Sequence, residues 1–192
     1  RGAEVGTMAT IYGCTGGETI QPGTPTTYGS DENDLLYGND GADTISSGSF
    51  NDTIYGGDGR DTINSGADND VIYGGANADA MNGGLGDDTI FGGGDSGPGI
   101  DVIYGGGGFD FVSYAGVIAA VTVNLANSVA SGGDGDDNIF DIDGVIGGDG
   151  ADNITGDGNA NRLIGGAGAD TIDGGAGSDT VEGGLGDDSL LG

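Results

Sequence analysis

Aspartate residues spaced nine positions apart are the groups in this chain that could do chemistry. They stand between a Gly-rich stretch and an aliphatic residue, as in residues 56–64, GGDGRDTIN, and residues 165–173, GGAGADTID. Carboxylate oxygens are the ligands that a hard cation such as calcium prefers. We therefore predict metal ligands at Asp34, Asp43, Asp52, Asp61, Asp70, Asp79, Asp88, Asp101, Asp110, Asp137, Asp152, Asp170, Asp179 and Asp188, and at Asn161, which replaces Asp in one copy.

The spacing follows a nine-residue rule, Gly-Gly-x-Gly-x-Asp-x-apolar-x, in fifteen copies. The copies start at positions 29, 38, 47, 56, 65, 74, 83, 92, 105, 132, 147, 156, 165, 174 and 183, and the copy at 92 carries extra residues before Asp101. The eighth position is aliphatic in every copy. A disordered polyanion has no reason to keep this register, so the pattern indicates a folded repeat structure.

Some copies depart from the rule. Glu32 and Phe50 occupy the fourth position, where Gly is usual, and neither side chain favours the left-handed backbone angles that Gly allows. Asn161 is a neutral ligand and is expected to weaken its site. The copies at 29, 47 and 156 are therefore the weaker metal-binding candidates.

Composition excludes several other functions. Of the 192 residues, 48 are Gly, 32 are acidic and 3 are basic, with a formal net charge of -29 and no His. Without His or Lys there is no His general base, no HExxH zinc site and no Walker-type phosphate loop. The charge would repel nucleic acid, and no apolar run is long enough to span a bilayer. We predict a chain that is not an enzyme.

The repeat also predicts the elements that position the carboxylates. The Gly-rich hexad is expected to form a turn, and the three residues after it a short strand that points its aliphatic residue inward. One copy makes half a coil, so eighteen residues return the chain to the same side, about 4.8 Å further along. The ninth position of the first array supports this, because Tyr37, Tyr55, Tyr73 and Phe91 alternate with Ser46, Asn64 and Asn82. We expect an aromatic ladder on the outer face of one sheet only.

This nonapeptide resembles the RTX, or hemolysin-type calcium-binding, repeat. The resemblance covers roughly residues 29–113 and 132–191. It implies an all-β fold, a right-handed parallel β-roll or β-solenoid. It also implies secretion through a bacterial type I exporter to the cell exterior or surface, where calcium drives folding.

The number of stacked turns sets the expected number of ions. If each pair of like-side neighbours shares one ion, the two main arrays hold roughly ten calcium ions. The core is thin, with one aliphatic residue per copy, so its burial cannot offset the ordering entropy unaided. We expect the metal-free chain to be largely unfolded and calcium to supply the folding free energy.

Interruptions of the repeat divide the chain. We predict an N-terminal flank or cap at 1–28, with a degenerate copy at 13–21 that has Glu18 in the Asp place. A first calcium-binding array follows at 29–113, and a non-repeat β spacer at 114–146, with one embedded copy at 132–140, separates it from a second array at 147–192. Because the chain starts at Arg1 and stops one residue into a further copy, we expect it to be part of a larger protein.

The principal hypothesis is a calcium-binding structural module of a secreted or cell-surface protein. The sequence leaves two alternatives open. One is a module that binds a glycan or a surface, as in an adhesin, a surface layer or an ice-binding protein. The other is a non-catalytic C-terminal module of an exported enzyme, such as a serralysin-like protease or an alginate epimerase. A glycan or cell-surface partner would contact the face formed by Tyr37, Tyr55, Tyr73 and Phe91.

Overall fold

A computed structural model describes residues 10–12, 33–93, 99–133 and 135–192. The predicted degenerate copy at 13–21, with Glu18, lies outside the described residues, as does most of the predicted flank at 1–28.

Nineteen strands form two sheets within the described part of the chain. The large sheet has eleven strands, β1 (Thr10–Tyr12), β3 (Thr44–Ser49), β5 (Thr62–Ala67), β7 (Ala80–Leu85), β9 (Val102–Gly107), β11 (Val121–Asn124), β12 (Val129–Gly132), β13 (Gly135–Phe140), β15 (Asn153–Thr155), β17 (Thr171–Asp173) and β19 (Ser189–Leu191). The small sheet has eight, β2 (Leu35–Asp40), β4 (Thr53–Asp58), β6 (Val71–Ala76), β8 (Thr89–Phe91), β10 (Phe111–Ser113), β14 (Gly144–Ile146), β16 (Arg162–Ala167) and β18 (Thr180–Leu185).

Consecutive repeats lie on opposite sheets, and like-side repeats pair in parallel. Ile45 is the register partner of Ile63 in the large sheet, and Ile54 of Ile72 in the small sheet, so a regular coil uses eighteen residues. The chain is thus an all-β parallel solenoid, and its one described helix is a single 3-10 turn at Leu125–Asn127. The predicted fold class is confirmed.

The core is a double row of aliphatic side chains between the sheets. The eighth-position residues from Leu36 to Ile172 are fully buried, and each neighbours its equivalent one coil away. Only at the last coil does this burial weaken, since Val181 is half-buried and Leu190 is exposed. Each half coil contributes one such aliphatic side chain to the core, and its strand is correspondingly short, three to six residues.

The spacer enlarges only one of the two sheets. Strands β11 and β12 pair antiparallel and lie between β13 and β15 in the large sheet. In the small sheet β10 pairs directly with β14, and β14 with β16, so this sheet continues across the interruption. The predicted boundaries at 28/29, 113/114 and 146/147 stay predictions.

The outer face of the small sheet carries the expected aromatic ladder. Tyr37, Tyr55, Tyr73 and Phe91 stack with ring centroids 4.9, 4.6 and 4.5 Å apart and nearly parallel planes. The expectation of one sheet only is wrong, because Tyr104 and Phe140 also stack, at 4.9 Å, on adjacent strands of the large sheet. The faces of the inner rings of the ladder are occupied by their neighbours.

Candidate metal centre

Sixth-position Asp residues line the two stacks of turns that join the sheets. Asp34, Asp52, Asp70, Asp88 and Asp110 precede strands of the small sheet. Those that precede strands of the large sheet are Asp43, Asp61, Asp79, Asp101, Asp152, Asp170 and Asp188, while Asp137 lies within the large-sheet strand β13. The sequence thus places its predicted ligands in two rows, one along each edge of the roll.

Each row is a hydrogen-bonded ladder. The backbone N–H of one sixth-position residue donates to the carboxylate of the Asp one coil later, as from Asp43 to Asp61 Oδ1 at 2.8 Å and from Asp70 to Asp88 Oδ1 at 2.8 Å. Twelve such bonds occur in the described residues, including Asn161 N to Asp179 Oδ1. In these twelve pairs, one carboxylate oxygen of the accepting Asp is therefore used to hold adjacent coils in register.

The second carboxylate oxygen in the interior of the ladders has no donor. Among the described residues, the fully buried Oδ2 atoms without a hydrogen-bond partner include those of Asp52, Asp61, Asp70, Asp88, Asp110 and Asp170. A buried anionic oxygen without a donor or a cation is costly. These atoms need a positive charge or a proton.

Burial has the expected effect on acidity. Desolvation raises the pKa of Asp61 to about 6, of Asp70 to about 7 and of Asp110 to about 6. It also raises the pKa of Asp52, Asp88 and Asp170. The neighbouring Asp carboxylates of the ladder raise these pKa values further, while the backbone N–H donors lower them. In the metal-free chain, ionising these groups therefore opposes folding.

Carbonyl oxygens converge on the same positions. A Cβ placed on Gly56 would meet Asp61 Oδ2 at 2.6 Å and also the Gly74 carbonyl oxygen of the next coil. At Gly83, the equivalent position lies 2.7 Å from the Gly105 carbonyl oxygen and also against Asp88 Oδ2. A carboxylate oxygen and a carbonyl oxygen brought to the same place fit calcium, which takes six to eight oxygen ligands.

Carboxylates alone do not make these centres. No three acidic, His or Cys side chains converge on a common point within the described residues. Each turn instead combines a carboxylate with backbone carbonyls, which are also calcium ligands. A repeat rich in Gly suits this arrangement, because positive φ values such as 111° at Gly57 turn the backbone in ways that other residues resist.

Two copies carry Ser instead of the first Gly. The buried Ser47 hydroxyl donates to the Ser65 carbonyl oxygen at 2.7 Å, and the Ser65 hydroxyl donates to the Gly83 carbonyl oxygen at 2.6 Å. The same hydroxyls interact with the carboxylates of Asp52 and Asp70 and lower their pKa values, although desolvation by burial has the larger, opposite effect.

Fifth-position residues form a second ladder on the edge that enters the small sheet. Asn51 N–H donates to Asn33 Oδ1 at 3.3 Å, Asn69 N–H to Asn51 Oδ1 at 3.1 Å, and Asp87 N–H to Asn69 Oδ1 at 2.9 Å. This ladder runs in the opposite direction to that of the sixth-position residues. It explains why the copies that it joins on this edge carry Asn or Asp at the fifth position, whereas the intervening copies carry Ala42, Arg60 and Ala78 there.

Two predicted ligands beside the spacer differ from the interior ones. Asp137 Oδ2 accepts a hydrogen bond from the buried Tyr114 hydroxyl at 3.3 Å. Both carboxylate oxygens of Asp152 accept N–H groups, from Val121 at 2.9 Å and Gly148 at 2.7 Å. Here protein donors take the place that the interior turns leave open, and the metal role of these two residues stays a prediction.

Asn161 is held in a similar way. Its Oδ1 accepts the Asp157 N–H at 2.8 Å, and its Nδ2 donates to the Asp143 carbonyl oxygen at 3.3 Å. A carboxylate could not make the second bond, which explains why Asn stands at this position. Its predicted role as a weak ligand is untested.

Sequence reasoning missed Asp143, which lies in residues 141–146, DIDGVI, at the end of the predicted spacer. Asp143 Oδ2 accepts the Asp110 N–H at 3.1 Å, and Gly144 N–H donates to the Asp110 carbonyl oxygen at 2.9 Å, as in the repeat turns. The buried Val145 then follows at the place of the eighth residue. The Asp-x-aliphatic spacing was the available signal, and the short turn before it concealed the copy.

The described residues contain no helix suited to crossing a bilayer. No curated protein matches the chain. The family model for the RTX calcium-binding nonapeptide repeat (4 copies) matches residues 28–54, 46–81, 55–90, 95–113, 142–166 and 155–190, which together cover more than half of the sequence. With its parallel solenoid and its rows of buried Asp, the chain belongs to the family of RTX calcium-binding nonapeptide repeat proteins and is a calcium-binding β-roll.

Proposed function

We propose that this chain is a non-enzymatic structural module of a larger secreted or cell-surface protein, and that extracellular calcium drives its folding. The observation that supports this proposal is the set of buried Oδ2 atoms without donors, exemplified by Asp61 and Asp88, facing carbonyl oxygens of the next coil. Calcium would be held there by Asp carboxylates and turn carbonyls, and would neutralise part of the net charge of -29.

Energetics favour coupling of folding to metal binding. The Asp side chains lie in continuous rows, where unneutralised carboxylates repel one another. Removing these charged groups from water also costs free energy. The aliphatic core, with one fully buried side chain per half coil, is small for the number of residues that must be ordered. A ligand that binds only the folded state shifts the equilibrium towards it.

The coupling suits a protein that is exported unfolded and folds outside the cell. Extracellular calcium modules bind in the range of about 10⁻⁴ to 10⁻³ M. Roughly ten sites of this kind would hold the module rigid only where calcium is abundant. Secretion by a type I exporter belongs to this proposal.

The test is a calcium titration of the chelator-treated chain, followed by far-ultraviolet circular dichroism. We expect a coil spectrum in chelator and a cooperative change to a β spectrum at sub-millimolar to millimolar calcium. Magnesium is the control, because it demands small octahedral sites and keeps its waters, and it should not induce the change. A β spectrum already complete in chelator would contradict the proposal.

The glycan-binding alternative has less support. A sugar stacks on an exposed aromatic face, whereas the faces of Tyr55 and Tyr73 contact the neighbouring rings of the ladder at 4.6 Å. The Asn33, Asn51 and Asn69 oxygens, which an ice-binding row would present, accept backbone N–H groups instead. A pull-down on alginate, with and without calcium, would detect such a partner.

A further inference from the structure

We propose that the short turn Asp141–Ile142–Asp143 forms a calcium site together with the turn at 105–110, outside the nonapeptide rule. This inference rests on the proposed calcium-binding function. The residues assigned to the site are Asp110 through Oδ2, Asp141 through its carbonyl oxygen and Asp143 through its carboxylate.

The first argument is the state of Asp110. Its side chain is fully buried, its Oδ1 accepts the Asp88 N–H at 2.9 Å, and its Oδ2 has no hydrogen-bond partner. This buried oxygen faces the turn at 141–143 rather than a repeat turn, because β10 pairs with β14 in the register Phe111 to Gly144. The cation that satisfies it must therefore be shared with that turn.

The second argument is the position of the Asp141 carbonyl. A Cβ placed on Gly105 would meet Asp110 Oδ2 at 2.7 Å and also the Asp141 carbonyl oxygen. At Gly83 the same place is shared by Asp88 Oδ2 and the Gly105 carbonyl oxygen. Asp141 thus supplies the oxygen that the first Gly of a repeat supplies elsewhere.

The third argument is the opening beside the turn. A cavity of about 550 Å³ lies next to it and is lined by Gly106, Asp141, Asp143, Asp157 and Asn159 among others. The short turn offers fewer carbonyls than a Gly-rich hexad, so water from the cavity must complete the six to eight oxygen ligands. We therefore expect this site to bind calcium more weakly than the interior sites.

The test compares D143N with D141N by native mass spectrometry across a calcium titration. In D143N the amide Oδ1 can still accept the Asp110 N–H, so the ladder bond is kept while the charge is lost. D141N is the matched control, since the exposed Asp141 side chain changes but its carbonyl oxygen remains. We expect D143N to bind one ion fewer per chain than the wild type, and D141N to bind the same number.

An unchanged ion count and affinity in D143N would overturn the inference, while a wild type that binds no calcium would overturn the proposed function itself. If D143N fails to fold, the anomalous difference map of a calcium-loaded wild-type crystal shows whether calcium occupies the proposed site. A calcium peak about 2.3–2.6 Å from Asp110 Oδ2 and the Asp141 carbonyl oxygen is expected. Peaks in the repeat turns with none at this place would contradict the site.

Discussion

The turn at 56–61 and the turn at 147–152 follow the same nine-residue rule, yet their carboxylates meet different partners. In the first, Gly57 has φ 111°, and Asp61 Oδ2 has no donor. In the second, Gly148 is not among the residues with positive φ, and its N–H donates to Asp152 Oδ2 at 2.7 Å. We call the first kind an open turn and the second a closed turn.

The spacer explains the closed turn. The Asp149 N–H donates to the Val117 carbonyl oxygen at 2.7 Å, and a Cβ on Gly148 would press against that same oxygen. The spacer backbone thus fixes the start of the turn at 147–152 and directs an N–H onto the carboxylate. A repeat position specifies the geometry of an Asp, while the neighbouring coil decides whether it needs a metal ion or a proton donor.

The largest expected effect that separates open from closed turns is that of pH on the metal-free chain. Folding raises the pKa of buried open-turn Asp residues from the ordinary value of 3.8, to about 7 for Asp70 and about 6 for Asp61. Because the folded-state pKa is the higher one, this stability is fully present below about pH 3.8 and is lost as pH rises through 6 to 7.

Lowering the pH of calcium-free protein from 8 to 5 should therefore increase its β content, measured by circular dichroism. The calcium-loaded form should respond in the opposite way, since protons compete for the same oxygens and the calcium midpoint should rise. A metal-free chain that loses β structure over this range would contradict the assignment of the open turns.

A pair of substitutions tests the two turn types directly. D61N removes an open-turn charge, and its new amide can donate to the Gly74 carbonyl oxygen, so we expect one calcium ion fewer and a less calcium-dependent fold. At calcium 100-fold above the dissociation constant, losing a site costs the loaded form about 2.7 kcal/mol.

D152N is the closed-turn counterpart. It leaves one of the Val121 and Gly148 N–H groups without an acceptor, at a cost of about 1–3 kcal/mol, but should not change the number of bound ions. Native mass spectrometry and denaturant unfolding measure both quantities. Equal ion losses in the two variants would remove the distinction between open and closed turns.

A smaller effect is expected for Y114F, which removes the hydroxyl that donates to Asp137 Oδ2. Loss of this buried donor should reduce the free energy of unfolding in calcium by about 1–2 kcal/mol. Y73F is the matched control, because Phe91 already occupies the equivalent place one coil later. If Y114F and Y73F are equally stable, the Tyr114 hydroxyl does not serve the carboxylate.

The smallest expected effect concerns the aromatic ladder. Y55L keeps an apolar side chain but removes the stacking of Tyr55 on Tyr37 and Tyr73, which should cost about 0.5–1.5 kcal/mol. The number of calcium ions should stay the same, since the ladder lies on the outer face of the small sheet. A loss of ions in Y55L, but not in Y55F, would link the ladder to the metal sites.

The solenoid and its rows of Asp could be predicted from the sequence because each copy has the same residue types at the same positions. Gly residues permit the turn, the Asp follows at a fixed distance, and one aliphatic residue such as Ile63 defines the inner face of the strand. An eighteen-residue alternation then places like residues in register. Local rules of this kind do not depend on distant parts of the chain.

What the sequence could not show depends on contacts between distant segments. Asp152 and Asp61 occupy the same repeat position, and only the packing of Val117 and Val121 distinguishes them. Asp143 was missed because its turn is shorter than the rule requires, although it accepts the ladder bond from Asp110. The stacking of Tyr104 on Phe140 likewise follows from the pairing of β9 with β13 across the spacer.

The most direct test of metal-driven folding is amide hydrogen exchange, measured by mass spectrometry with saturating calcium and with chelator. Strands β4 to β8, which adjoin the open turns, should be strongly protected in calcium and should exchange at the rate of an unfolded chain in chelator. Protection of these strands that persists unchanged in chelator would contradict the account. It would mean that the aliphatic rows and the ladders of hydrogen bonds suffice without metal.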